Sequence, residues 1–182
     1  MNNQPVPKLC PSGNDFTPCS EQELIEVERI LEAPLPVDYR QFVLKYGWSH
    51  YEPSAVIRTI EKPPPEVTWN DDEDFVPFGN FFGSDCDSTG LLSMVQGFPI
   101  YQQIPENMIA FADDICCNEF LLGLSGADKD KIYFWFRDGL IEPEHYEEEG
   151  LEVPIDWRRR NLTLVATSFS DFLERVMLDP HE

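Results

Sequence analysis

Basic residues are scarce in this sequence. Lysine and arginine together number 13 against 34 aspartates and glutamates, so the formal net charge at neutral pH is −21. A surface with this excess of negative charge repels the phosphates of nucleic acids and the headgroups of anionic lipids. The charge balance therefore argues against a nucleic acid or a membrane as the partner, and it favours a basic protein.

Long apolar runs are also missing. No stretch approaches the roughly 20 consecutive apolar residues that a membrane-spanning helix needs, and no apolar block follows Lys8, as one would in a secretory signal. Hydrophobic residues still make up 42% of the 182 residues, which is enough for one packed core. We therefore expect a cytoplasmic protein with a single core.

The sequence has little of the chemistry that enzymes and metal sites use. It contains no phosphate-binding loop, no nucleophile elbow, no zinc-protease motif and no dinucleotide fingerprint, and none of its five cysteines stands in a Cys-x-x-Cys pair. Of the three histidines, His50, just past a predicted helix end, is the candidate for a general base. A hydrolase would need His50 beside Cys86, Cys117 or a carboxylate, and this stays an alternative. We predict no catalytic residue, no cofactor and no metal site.

Two N-terminal segments have the apolar spacing of amphipathic helices and predict a helical hairpin. The first begins at Ser20, which forms a Ser-x-x-Glu capping box with Glu23. The second opens at Leu35-Pro36 and stops at Gly47, which can adopt the left-handed conformation at a helix end. Its apolar stripe is Tyr39, Phe42, Val43 and Tyr46.

Segments rich in β-branched and aromatic residues predict the strands of an antiparallel sheet. The predicted strands are residues 55–60, 91–95, 108–112, 120–124, 132–136 and 162–166, and residues 76–82 form a further short aromatic segment. The connections 113–118 and 125–130 have the composition of hairpin turns. A last helix follows the final strand, capped by Ser168.

Three stretches fit none of these elements. Residues 1–18 contain four prolines and predict a flexible tail. Residues 61–74 include three successive prolines and an acidic run, and residues 137–161 are long and charged. We therefore predict a tail over 1–18, followed by a single domain over 19–182 that carries loop insertions near 61–74 and 137–161.

Several short motifs occur in an order that one protein family shares. They are Glu28, Leu35-Pro36, Tyr39-x-x-Phe42, Gly47, Phe78-Gly79, Phe82-Gly83, Ile104-Pro105, Ile109-Ala110-Phe111-Ala112, Tyr133-Phe134-Trp135 and Ala166-x-Ser168-Phe169-x-x-Phe172-Leu173. Together they resemble the SUKH superfamily, which includes fungal cell-wall-synthesis regulators and bacterial immunity proteins. The sequence departs from the family where a glycine is expected near Cys117, so that residue would be strained if its φ were positive.

The resemblance implies an α+β fold. A mainly antiparallel sheet of about six strands would be covered by the N-terminal helical hairpin and the C-terminal helix. It also implies a non-enzymatic protein that binds another protein. Bacterial relatives neutralise toxins delivered between competing cells, whereas the fungal relatives suggest the alternative of a regulatory adaptor with an endogenous partner.

A partner-binding surface is predicted from aromatic and acidic residues together. Specific interfaces place a few large anchors inside a polar rim, and many intercellular toxins are nucleases whose clefts are cationic. The candidate anchors lie in or next to loops, although aromatic residues at turns also serve as core residues. The predicted partner-binding residues are Trp48, Tyr51, Trp69, Asp71, Asp72, Glu73, Asp74, Glu147, Glu148 and Glu149.

Overall fold

The computed structural model describes residues 6–68, 74–84, 90–97, 103–137 and 139–181. The helices in these ranges are α1 (Glu21–Leu31), α2 (Val37–Val43), α3 (Leu91–Gly97), α4 (Pro143–Glu148) and α5 (Phe169–Glu174). The strands are β1 (Lys8–Pro11), β2 (Ser49–Arg58), β3 (Phe75–Phe81), β4 (Met108–Asp113), β5 (Glu119–Gly123), β6 (Ile132–Trp135), β7 (Leu162–Ala166) and β8 (Val176–Leu178).

All the strands belong to one antiparallel sheet. Its spatial order, β1-β2-β3-β4-β5-β6-β7, is the order of the strands along the chain, and β8 pairs with β2. Both β1 and β8 use the same strand: β1 pairs with Ser49–Glu52, and β8 pairs with Ala55–Ile57. The predicted α+β fold with a mainly antiparallel sheet is confirmed, with eight strands where about six were expected.

The helical hairpin forms as its sequence predicts. Ser20 and Glu23 make the reciprocal capping box at the start of α1. The Glu28 carboxylate accepts a hydrogen bond from the Leu35 N–H at 3.0 Å, which fixes the turn between the two helices. Gly47 has a φ of 60°, and a Cβ at this position would collide with the Thr17 carbonyl, so glycine is required.

The sheet separates two apolar clusters because successive strand residues point to opposite faces. The main core packs α1, α2 and α5 against one face, where Phe42, Phe81, Phe111, Phe169 and Phe172 form a continuous group of aromatic rings. Neighbouring residues on the same strands supply a second, smaller cluster. It consists of Phe82, Met94, Met108, Ala110, Leu121 and Trp135.

The structure corrects two predictions at the level of single elements. Residues 91–95, predicted as a strand, belong to α3, in which Leu91 and Met94 are buried three residues apart. A short apolar run does not distinguish a strand from a buried helical turn. The flexible tail predicted over 1–18 is corrected where Lys8–Pro11 forms β1, because pairing through the backbone leaves little trace in the side chains.

Both predicted insertions contain ordered structure within the described ranges. In the first, Pro63 is buried and Val67 packs against the main core. The Glu61 carboxylate accepts a hydrogen bond from the Leu164 N–H at 2.8 Å, so this segment covers the outer edge of β7. In the second, residues 143–148 form α4.

Candidate protein-binding surface

Trp48 and Tyr51, the two aromatic anchor candidates that the structure describes, are partly buried. The Trp48 indole N–H donates to the Ser84 carbonyl at 3.1 Å, and its ring packs edge-on against Phe82. Tyr51 lies on β2, not in a loop, and packs against Phe78 and Phe81. Burial raises the pKa of the Tyr51 hydroxyl to about 12. Both side chains therefore contribute to packing, and only part of each reaches the surface.

The acidic run of the first insertion lies mainly outside the described residues. Trp69, Asp71, Asp72 and Glu73 are in the undescribed range 69–73. Asp74 is described and exposed, at the start of β3. Its carboxylate lies 3.5 Å from the Arg58 guanidinium, and its backbone carbonyl accepts from the N–H and the hydroxyl of Thr59. Asp74 thus has local partners of its own.

Glu147, Glu148 and Glu149 lie at the end of α4, in the connection between β6 and β7. We call residues 139–161 the β6–β7 connection; the structure describes all of them. Its stretch 141–156 contains seven acidic residues and no lysine or arginine. Six of the seven are exposed, and none of these six forms an ion pair with any other residue that the structure describes: Glu144, Glu147, Glu148, Glu149, Glu152 and Asp156.

A few contacts hold this connection on the domain. Tyr146 is its only buried residue, and within the connection the Tyr146 hydroxyl accepts a hydrogen bond from the Arg160 guanidinium at 3.2 Å. The Arg159 guanidinium donates to Asp128 at 2.8 Å, and Gln103 donates to Glu142 at 2.6 Å. Of these residues only Tyr146 lies within α4, and the carboxylates at the end of the helix are exposed.

Apolar side chains are exposed in the same connection. Ile141 is 53% exposed, Leu151 is 55% exposed, and Ile155 is fully exposed. Ile141 also borders a cavity of about 270 Å³ that Tyr146 and Trp157 line. The acidic residues could be selected from the sequence but these apolar ones could not, because an isoleucine in sequence carries no sign of whether a distant segment covers it.

The turn between β4 and β5 is a second exposed feature that sequence analysis did not select. Asp114, which is 2% exposed, accepts hydrogen bonds from the Cys116 N–H at 2.7 Å and the Asn118 N–H at 3.0 Å, and from the Asn118 amide group at 2.7 Å. Asn118 in turn accepts from the Arg137 N–H at 3.0 Å. This buried polar network fixes the shape of the turn.

The same turn holds two residues in the left-handed region. Ile115 has a φ of 63° and Cys117 a φ of 71°. Cys117 therefore has a positive φ at the turn where the family resemblance led us to expect a glycine. For a β-branched isoleucine this conformation is unusual and costs about 1–3 kcal/mol. Ile115 is nevertheless 74% exposed, which makes it a preformed apolar tip on the surface.

Asp113 supports this turn from the β4 side. Its carboxylate accepts from the N–H groups of Asn80 at 2.9 Å and Ile115 at 3.2 Å. Burial raises the pKa of the Asp113 carboxyl, although these hydrogen bonds act in the opposite direction. Gly79 passes directly beneath, where a Cβ would collide with Asp113 and lie 2.5 Å from the Ile115 side chain.

Among the described residues, His50 has a carboxylate neighbour but no nucleophile bonded to it, and Cys86, one of its candidate partners, lies outside those residues. Its Nε2 lies 3.3 Å from Glu52, and His50 lines a shallow depression of about 300 Å³ with Ser12 and Tyr51. The Ser12 hydroxyl donates to Asn80, not to His50. A nucleophile activated by His50 would have to be hydrogen-bonded to it, and no described residue other than Glu52 makes such a bond to the ring.

Within the described residues, no group of three or more His, Cys, Asp or Glu side chains is placed to hold a metal ion. None of their helices has the length and the apolar content to cross a membrane.

Comparison with known proteins assigns the family. The model of the SMI1 / KNR4 family (SUKH-1) matches residues 18–175. The chain belongs to this family. The match spans nearly the whole sheet and all five described helices, so it covers both the β4–β5 turn and the β6–β7 connection.

One curated relative of this SMI1/KNR4-family chain is the SPbeta prophage-derived uncharacterized protein YokK of Bacillus subtilis (strain 168). The two are 25% identical over 169 residues, which cover 90% of this chain and 77% of YokK. The predicted membership of the SUKH superfamily is therefore confirmed. Membership is consistent with an immunity protein and with an SMI1/KNR4-like regulator.

Proposed function

We propose that this chain is a non-enzymatic immunity protein that binds and neutralises a basic toxin domain, such as a nuclease, in the cytoplasm. The observation that carries this proposal is the acidic β6–β7 connection, where six exposed carboxylates have no basic partner among the described residues. Membership of the SMI1/KNR4 family supports a role in protein binding.

The charge distribution explains how such a protein would recognise its target. A nuclease needs a positively charged cleft to hold phosphates. Exposed carboxylates on a projecting segment attract that cleft over a distance of about one Debye length, roughly 8–10 Å at physiological salt. The attraction raises the association rate, which matters for a protein that must reach a toxin before its substrate does.

Co-expression provides the functional test. Each product of a neighbouring gene that kills a sensitive host when expressed alone is co-produced with this chain, and growth is scored. We expect growth to be restored by this chain and not by an unrelated acidic protein of similar size. Continued killing, with both proteins present and folded, would contradict the immunity role and favour the regulatory adaptor.

A kinetic test addresses the acidic connection itself. Replacing Glu147, Glu148 and Glu149 by glutamine should slow association with the neutralised toxin about tenfold at low salt and flatten its salt dependence. The matched control replaces Glu32, Glu106 and Glu174, which are also exposed, by glutamine and changes the net charge by the same amount. Equal association rates for the two variants in stopped-flow measurements would exclude the connection as the steering surface.

A further inference from the structure

Exposed apolar side chains are concentrated in the acidic part of the molecule. Ile141, Leu151 and Ile155 lie within 15 residues of one another, and their exposed fractions are 53%, 55% and 104%. The other large hydrophobic residues with high exposure are isolated along the chain: Val6, Ile25, Val37, Ile60 and Ile115. Single exposed hydrophobics are ordinary on a protein surface, whereas several within one short polar segment are typical of an interaction site.

Residues next to these side chains contact the domain, while the side chains themselves stay exposed. Leu140 packs against the second apolar cluster, while the adjacent Ile141 is mostly exposed. The Leu151 N–H donates to the Tyr146 carbonyl at 2.7 Å, which fixes the backbone after α4 with the Leu151 side chain still half exposed. The connection is therefore anchored to the domain and presents these residues outward.

The surrounding charge decides which occupant this surface accepts. Seven carboxylates and no lysine or arginine lie between residues 141 and 156. A second copy of the chain in symmetric contact would place these carboxylates against one another, and anionic lipids and nucleic acids would be repelled. A basic protein surface is the remaining macromolecular partner of matching chemistry, because it pairs with the carboxylates while it covers the apolar side chains.

We infer that Ile141, Leu151 and Ile155 are the apolar anchors of the partner interface, and that the partner contributes a basic surface that also carries apolar groups. This inference rests on the proposed function and adds to it the division of roles within the connection. The carboxylates set the association rate, and the apolar anchors set the lifetime of the complex.

Two synthetic peptides of equal charge test the inference without knowledge of the toxin. One is an amphipathic helix of lysine and leucine, and the other is oligolysine. We expect the full chain to bind the lysine–leucine peptide more tightly, as measured by fluorescence anisotropy. The double variant Leu151→Ser/Ile155→Ser should weaken that binding about tenfold and leave oligolysine binding unchanged. Both substitutions are at exposed positions, so an unaltered melting temperature is expected.

The control is Ile25→Ser/Val37→Ser, which removes two exposed apolar side chains from α1 and α2, with exposed fractions of 51% and 72%. This variant should bind both peptides as the unmodified chain does. Equal weakening by the two double variants would overturn the inference. It would also be overturned if Leu151→Ser/Ile155→Ser bound the lysine–leucine peptide normally, or abolished a self-association of the unmodified chain, since the occupant would then be a second copy.

The failure of this inference can be told apart from failure of the proposed function. Growth rescue by co-expression depends on the immunity role and not on which residues carry it. If the Leu151→Ser/Ile155→Ser variant still rescues growth and dissociates from the toxin at an unchanged rate, the assignment of the apolar anchors is wrong. The immunity function would still hold.

Discussion

The β4–β5 turn and the β6–β7 connection both expose isoleucine, but they hold it in different ways. In the turn, buried Asp114 and Asn118 supply a network of hydrogen bonds, and Ile115 is held in the left-handed region. In the connection, Tyr146 is the single buried residue, and exposed carboxylates and exposed apolar side chains predominate over residues 141–156. The first surface depends on exact backbone geometry, and the second depends on charge and on a few anchoring contacts. Substitutions should therefore cost stability in the turn and binding in the connection.

The largest effect is expected for Asp114→Ala in the turn. The substitution removes the acceptor of three N–H groups in a buried position, and we expect the free energy of unfolding to fall by about 3 kcal/mol. Urea denaturation provides the measurement. The matched control is Asp156→Ala in the connection, where the exposed carboxylate has no hydrogen bond within the described part of the chain, and a change below about 0.5 kcal/mol is expected. Similar losses in the free energy of unfolding for both variants would show that the turn and the connection contribute equally to stability, contrary to our expectation.

Gly79→Ala should have the next largest effect. Its Cβ would collide with Asp113 and lie 2.5 Å from the Ile115 side chain and 2.7 Å from the Ile115 nitrogen. The β4–β5 turn would have to move as a whole to remove this overlap, so we expect a loss of about 2 kcal/mol in the free energy of unfolding. Gly13→Ala is the control, since a Cβ there has no neighbour within 4 Å and the backbone φ is not positive. An unchanged denaturation midpoint for Gly79→Ala would show that the turn can shift freely.

A smaller effect is expected for Tyr146→Phe in the connection. The ring stays buried, but the hydrogen bond from the Arg160 guanidinium at 3.2 Å is lost, which should cost about 1 kcal/mol. Because so few contacts hold the connection, the loss should be seen locally. We expect faster amide hydrogen exchange over residues 141–156 and unchanged exchange in the β4–β5 turn. Uniform acceleration across the sheet would mean that the connection unfolds only with the whole domain.

The smallest effect is a difference in pH dependence between the two regions. Burial raises the pKa of Asp113 in the turn. For Asp128, which binds Arg159 of the connection, burial also acts to raise the pKa, but the hydrogen bonds from Tyr133 and Arg159 outweigh it and the pKa is lowered. NMR titration of the carboxyl carbons should therefore show Asp113 protonating at higher pH than Asp128.

The two shifts affect stability with opposite signs. A raised acidic pKa stabilises the fold below the unfolded-state value, and this contribution is lost as the pH rises through the folded-state value. A lowered one stabilises the fold above the unfolded-state value, and this contribution is lost as the pH falls through the folded-state value. Acid should thus weaken the Arg159 contact of the connection while it favours the turn. Titration of both aspartates at the same pH would contradict this expectation.

Much of the architecture was predictable because local patterns encode it. The capping box at Ser20 and the apolar stripe through Tyr39 and Phe42 depend on residues three or four apart, and the structure has both helices where they were predicted. Strands β4 to β7 also match their predicted segments. The strands β1 and β8 were missed because three or four residues paired through the backbone leave no periodic pattern in the side chains.

The candidate surface was predictable only in part. Charge is readable from sequence, so Glu147, Glu148 and Glu149 could be expected at the surface, and the structure shows them exposed. Their role in partner binding stays a prediction. Trp48 and Tyr51 were chosen as aromatics in or next to loops, but Trp48 packs against Phe82, just past β3, and Tyr51 packs against Phe78 of β3. Trp69 and the acidic residues 71–73 lie outside the described residues, so their role in binding remains a prediction.

The sequence by itself determined the net charge of −21, the helical hairpin and the antiparallel order of the central strands, because composition and short-range periodicity can be read without the fold. Only the tertiary structure decided which apolar side chains face solvent. Ile141, Leu151 and Ile155 are indistinguishable in sequence from core residues, and their exposure depends on which distant segments pack nearby. The left-handed conformation of Ile115 was decided in the same way, by hydrogen bonds to Asp113 and the close approach of Gly79 from another strand.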